Sequence, residues 1–330
     1  GEMGGIWNHP IKLMDGFDIQ ITEASESFKL NKADRFINYP VANMHSFSWE
    51  EKKLEIERWQ FVPDDKQGLV VQLLIKNLGE ERELNLKFTG NSDIQPTWLG
   101  EKTGMENGKD LAYYDNNNQF WKVKDNLNEW HTIFGTDQVD TEISHATEET
   151  NENSSISNSI EHKISLLAGE NRVVNYLIAG SYTSEEEALS TYNDIKNNIN
   201  PYLIAKRDRY IKLNERSKLT IPDKDIEEAF EWIKYSCDWS IRTIPEVGSG
   251  MSAGLPDYPW WFSCDAEYAL KNHMAFGQFE TAYNTIHLLD SISELTNGNG
   301  RIVHEISTNG TVFNKGNINE TPQFVSLIWE

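Results

Sequence analysis

The sequence predicts a multidomain β + α protein, in which an antiparallel β-sandwich is followed by a helical region. Three observations carry that expectation. Short runs rich in β-branched and aromatic residues recur from about Trp7 to Gly180, broken by Asn-, Gly- and Asp-containing turns. After Gly180 the apolar spacing changes to that of helices. At 330 residues, with 38% hydrophobic and 25% charged content, the chain is long enough for two sizeable cores and has the make-up of an ordinary globular protein.

The strands come first. Leu69 to Ile75, Leu84 to Phe88 and Val173 to Ile178 are apolar or alternating runs, with turn signals at Asn77-Leu78-Gly79, Asn107-Gly108 and Gly169-Glu170-Asn171. Lys53 to Val62 and Gly68 to Leu78 read as antiparallel neighbours joined through Pro63 to Gln67. Glu142 to Ser159 is polar throughout and reads as a mobile loop or a sheet edge.

The helices follow. Ser184 with Glu187 forms a capping box that opens a helix through about Asn197. A second helix, from near Pro201 to Leu219, alternates in charge and reads as a solvated linker. From Pro222 the pattern is helical, with Ile226, Phe230, Ile233, Cys237 and Ile241 spaced as one apolar stripe. Further helices are expected over Asp265 to Phe276, over Gln278 to Leu295, and from Thr321 as N-cap with Pro322 at the first helical position. This sets expected boundaries of 1–182 for the β-domain, 183–221 for the linker and 222–330 for the helical domain. The last helix is still apolar at Glu330, so the helical domain is expected to be incomplete.

The formal net charge of -22 opposes binding to phosphate backbones and anionic lipid surfaces, which sets aside nucleic-acid and membrane partners. No apolar run reaches the roughly 18 residues a membrane helix needs. Cys237 and Cys264, the two cysteines, stand in no metal-binding pattern, so no metal and no cofactor is expected; reduced thiols fit a cytoplasmic setting. No phosphate-binding, dinucleotide, nucleophile-elbow or zinc-protease motif occurs. The unusual number is 11 Trp, beside 12 Tyr and 14 Phe, because flat rings with polar edges suit ligands with a CH-rich face and hydroxyl rims.

Three segments concentrate chemistry. In Gly254 to Glu267, Tyr258, Trp260, Trp261 and Phe262 precede Asp265 and Glu267 at a helix start. Aromatic faces can stack on a sugar and carboxylates can accept its hydroxyls; the alternative is a loop that plugs the helical domain, with carboxylates favouring the helix N-terminus. Gly298 to Thr321 is a long Gly- and Asn-rich connection bearing His304, Glu305, Lys315, Asn317 and Glu320. Glu305 and Glu320 are the better candidates there for holding hydroxyls, His304 being either a base or an ordinary hydrogen-bonding residue. Trp7, His9 and Asp15, near the start, read as structural.

The segments LPDYPWWFSCDAEYAL, GRIVHEISTNG and GNINETPQFVSLIWE resemble the amylo-α-1,6-glucosidase (glycogen debranching enzyme-like) family, grouped with glucoamylases, trehalases and processing α-glucosidases. The resemblance is specific from Gly254 to Glu330 and otherwise one of domain order. It implies an N-terminal antiparallel super-sandwich, the first helices of an (α/α)6 toroid, and inverting hydrolysis of α-glucosidic linkages by a carboxylic acid and a carboxylate about 6.5–9.5 Å apart. By position Asp265 matches an Asp that grips hydroxyls of the terminal sugar, although Cys264 stands where those relatives carry a guanidinium. The acid and base are expected on later loops, beyond Glu330, with Asp265 and Glu305 as the fallback pair. The partners implied are an oligosaccharide or glucoside and the remainder of the same enzyme. Alternatives are a disaccharide phosphorylase of similar architecture and a non-catalytic carbohydrate-binding module.

Overall fold

A computed structural model describes residues 4–97, 100–138, 143–149, 156–255 and 258–330. The chain divides into two units, Gly4–Pro96 with Met105–Arg207, and Thr97–Gly104 with Asp208–Glu330.

The first unit is built by the period-2 segments. Strands Asp110–Asp115, Phe120–Asp125, His131–Thr136, Asn171–Ser181, Gly68–Asn77, Leu54–Phe61, Asn43–Trp49 and Arg35–Asn38 lie in that order in one antiparallel sheet. A second holds Ile143–Glu149, Ile156–Leu166, Arg82–Ser92, Gly16–Glu23 and Glu26–Lys29. The expected hairpin forms, with Leu54 paired to Asn77 and Phe61 to Val70. The polar stretch near 142–159 supplies the edge strand Ile143–Glu149; residues 139–142 and 150–155 lie outside the described residues.

Leu84, Leu86 and Phe88 of the smaller sheet share one buried cluster with Val71, Leu73, Ile75, Tyr176 and Ile178 of the larger. Phe88 stacks on Tyr176 across the layers, ring centroids 4.5 Å apart. Each such buried side chain stabilises by about 1.5–3 kcal/mol, and Phe88→Ala, which also leaves a cavity, is expected to cost about 3–5 kcal/mol. The outer face of the large sheet is covered by helix α1 (Glu185–Asn197), whose Ala188, Tyr192 and Ile195 pack on Phe61, Val70, Phe120, Ile133 and Leu177. A Cβ at Gly135 would stand 2.4 Å from the Tyr192 hydroxyl, so this glycine leaves the room that the buried ring of Tyr192 occupies. Ser184 caps α1 by accepting from the Glu187 amide at 3.1 Å, but the Glu187 carboxylate turns to Ser181 and Thr183 instead of closing the expected box.

Helix α2 runs over Ile199–Glu215. In the second unit α3 (Lys224–Trp239), α4 (Ser263–Ala275), α5 (Phe279–Thr296) and α6 (Glu320–Trp329) follow. Two short sheets interrupt them where helix alone was expected: Ile241–Ile244 with Gly248–Met251, and Trp261–Phe262 with Glu305–Ile306 and Val312–Asn314. The stripe on α3 is corrected too. Ile226 and Ile233 are 54% and 47% exposed, whereas Lys234 is wholly buried. Lys234 Nζ donates to the carbonyls of Asn214 and Arg216 at 2.8 and 3.2 Å, so the unpaired carbonyls at the end of α2 draw the cation inward. Helix α6 begins at Glu320 with Asn319 as its N-cap, two residues before the expected cap, because Thr321 Oγ1 is occupied accepting from the Ile302 amide at 3.0 Å.

No described helix is long and apolar enough to cross a membrane. Both cysteines are free.

Candidate carbohydrate site

Helices α4 and α6 lie side by side in the same direction. Asn319 reaches Cys264 at 3.5 Å, Gln323 reaches Tyr268 at 3.2 Å, and Glu330 reaches Lys271 at 2.8 Å, so both chains advance together. Their N-termini therefore stand at one end, where partial positive charge from both helices favours carboxylates and polar ligands. Two connections converge there. The one between α3 and α4 carries Tyr258 to Phe262; the one between α5 and α6 carries His304 to Asn319.

They are stitched by strand pairing, Trp261 opposite Ile306 and Phe262 opposite Glu305, and by the Ser263 amide donating to the His304 carbonyl at 3.1 Å. The pairing lines up rings. Trp260 stacks between Phe262 and Phe313, centroids 6.2 and 5.9 Å away, while Tyr258 and His304 set their edges on Phe262 at 6.1 and 5.5 Å. Asn309 fixes the turn of the second hairpin: its Oδ1 accepts from the Ser307 hydroxyl and the Thr311 amide, and its Nδ2 donates to Thr103 Oγ1 at 2.6 Å.

The expected site residues separate by exposure. Trp260 and Trp261 are both fully buried, and Trp261 donates from Nε1 to the Gly250 carbonyl at 3.1 Å. Neither offers a face to solvent on which a sugar could stack, so the two indoles support the site from behind. Phe262 is 9% exposed and Tyr258 52%. Asp265 is exposed on the first turn of α4. Glu267 is buried, with Lys271 3.9 Å away and Oε2 enclosed without a hydrogen-bond partner. Ser263 Oγ, one helical turn earlier, is enclosed in the same way.

Glu320 is buried at the mouth of α6. Its carboxylate accepts from the Asn317 amide and side chain at 2.5 and 2.8 Å. His304 Nδ1 lies 2.7 Å from Oε1, an ionic approach rather than an aligned hydrogen bond. Burial pushes this carboxyl up, but the donors from Asn317 and its own amide, with the His304 charge, bring it below the usual range. Glu305, half-buried, goes the other way: burial raises it and the His304 charge only partly opposes. Asn317 and Lys315 are exposed beside them.

The reachable polar set is thus Tyr258, Asp265, His304, Glu305, Lys315 and Asn317, while Glu267 and Glu320 are held behind it. Sequence reasoning passed over Phe313, whose only signal is the alternating Val312-Phe313-Asn314 run, and Asn309, which carries none. No group of His, Cys, Asp or Glu among the described residues could hold a metal ion.

No family model and no curated protein matches the chain. Solved structures do. A bacterial glucoamylase crystallised with acarbose superposes over 97% of this chain and 50% of its own, with a TM-score of 0.63 at 12% identity. A chain assigned as a kojibiose phosphorylase from the human microbiome superposes over 94% of this chain and 44% of its own, TM-score 0.64 at 11% identity. The chain spans about half the length of each. These likenesses establish a glycosidase-like fold shared by carbohydrate-active enzymes.

Proposed function

We propose that the chain is the sandwich domain and first part of an (α/α)6 toroid from an inverting glycoside hydrolase acting on α-glucosidic linkages, of α-glucosidase or debranching type. The observation that carries this reading is the strand pairing that sets His304 and Glu305 beside the aromatic row at the start of α4, on whose first turn Asp265 is exposed. Asp265 and Glu305 accept hydroxyls of a terminal sugar, Tyr258 and the Phe262 edge face its CH-rich side, and Asn317 donates at the rim. Glu320 acts one step back, holding Asn317 and His304 in place.

In this reading the site recognises sugar, and the acid and base for displacement by water come from further hairpin loops of the same architecture. The structural likeness to a glucoamylase bound to acarbose supports the choice of ligand. The test is calorimetric titration of the chain with acarbose and with maltotriose, beside an assay for released glucose. Binding without glucose release is expected, and Asp265→Asn weakens it by about 10- to 100-fold. Glucose release by this chain would move the catalytic pair into it, with Asp265 and Glu305 tried first; absence of any binding would overturn the reading.

A further inference from the structure

Arg242 differs from Arg209 and Arg301. Arg209 is gripped by both carboxylate oxygens of Asp238, at 2.8 and 2.9 Å, and Arg301 donates to the Gly316 carbonyl. Arg242 is half-buried on the strand Ile241–Ile244; its Nε is enclosed with no acceptor, and no ion pair joins it to a carboxylate among the described residues. Burial pulls its guanidinium below the usual pKa, with no carboxylate acting to restore it. In a chain with 52 Asp and Glu against 30 Lys and Arg, counter-charges are abundant, so this one goes unpaired by placement and not by shortage.

The placement is specific. Directly across from Arg242 is Gly250, which has no side chain to offer. That position cannot be filled freely: a Cβ there would lie 3.2 Å from Trp261 Cδ1, Thr285 Oγ1 and Leu288 Cδ2. The strand beneath is held by Trp261 Nε1 on the Gly250 carbonyl and by the Met251 amide on Thr285 Oγ1, at 3.1 and 3.0 Å. A cation half-withdrawn from water without a counter-charge opposes folding, and such a local cost on a rigid support marks a place where a ligand supplies the missing charge. The hairpin belongs to the connection that delivers the chain to the N-terminus of α4.

We propose that Arg242 is the seat of a small oxyanion, a phosphate or carboxylate group bound by two parallel N–H donors from the two terminal Nη groups of its guanidinium, the Nε being enclosed. This goes beyond the hydroxyl recognition proposed above and stands without it, since neutral oligosaccharides read that site and oxyanions read this one.

The experiment is thermal unfolding of the chain against inorganic phosphate and against glucuronate, each at constant ionic strength set with chloride, with maltotriose as the neutral control. Saturable stabilisation by one of the two anions is expected, about 2–4 °C at roughly tenfold excess over Kd, and the responding anion identifies the source. Arg242→Gln removes the response while melting no lower than the parent without anion. Arg242→Lys, which keeps the charge and stem, binds at least about tenfold more weakly because it loses the planar fork. No saturable response to either anion, or an undiminished response in Arg242→Lys or Arg242→Gln, overturns the proposal. So does an Arg242→Gln chain that unfolds, because it would make the arginine structural.

Discussion

His304 and Glu320, sixteen positions apart in sequence, meet with Nδ1 2.7 Å from a carboxylate whose side chain is wholly enclosed. The carboxylate is served by Asn317 as well, so one buried charge organises both the imidazole and the loop that leads into α6.

Glu320→Gln is expected to destabilise the chain by about 1–3 kcal/mol at pH 7, since charged hydrogen bonds inside are replaced by neutral ones. The folded carboxyl lies below its unfolded value, so its contribution is present above the ordinary Glu range and lost as pH falls through the folded pKa. Denaturant titrations of parent and variant at pH 7 and pH 3.5 check this: the gap narrows at the lower pH.

Asp265→Asn leaves stability within about 0.5 kcal/mol, because the side chain is exposed. It weakens acarbose or maltotriose binding by about 10- to 100-fold, the worth of a charge-assisted hydrogen bond to a hydroxyl. Calorimetry and a melting curve on one preparation separate the two effects. A variant that both melts early and fails to bind would make Asp265 a structural residue.

Trp261→Phe behaves oppositely. It removes the indole donor from the Gly250 carbonyl inside a closed core and leaves a void. A loss of about 2–4 kcal/mol is expected by urea unfolding, with affinity for sugar per folded molecule nearly unchanged.

Asp110, in the β unit, provides a pH test. It is 1% exposed, and burial raises its carboxyl to about 7, against the hydrogen bond from the Ile94 amide that opposes the shift. Its folded pKa exceeds the unfolded 3.8, so its contribution is complete below 3.8 and is lost as pH rises through about 7. Asp110→Asn is therefore expected to gain on the parent as pH rises above 3.8, the gap widening by about 2–3 kcal/mol between pH 5 and pH 8, read from denaturant midpoints. Equal gaps at the two pH values would show that the carboxyl is ionised throughout.

Much of this was legible from local pattern. The hairpin Leu54–Phe61 to Gly68–Asn77 needed only two apolar runs and a turn, and α1 needed Ser184 with a helical period after it. The candidate site was legible as two segments, Gly254 to Glu267 and Gly298 to Thr321, because clustered rings and carboxylates are visible without knowing what they touch. Which members face a ligand was not. Trp261 is buried because it pairs with Ile306, a residue 45 positions away, and no local signal encodes that register. Lys234 is inside and Ile233 outside because the unpaired end of α2 lies against that side of α3.

The sequence by itself determined the division into strand-forming and helix-forming halves, the absence of phosphate-loop and dinucleotide motifs, and the two segments that supply the candidate site. Those follow from side-chain period and residue chemistry, which act over a few neighbours. Only the tertiary structure decided that α4 and α6 run together, that Trp260 and Trp261 are buried while Asp265 is exposed and Glu305 half-buried, and that Arg242 meets no counter-charge among the described residues. Each of these depends on which distant segment arrives alongside, and burial and charge pairing are properties of that arrival.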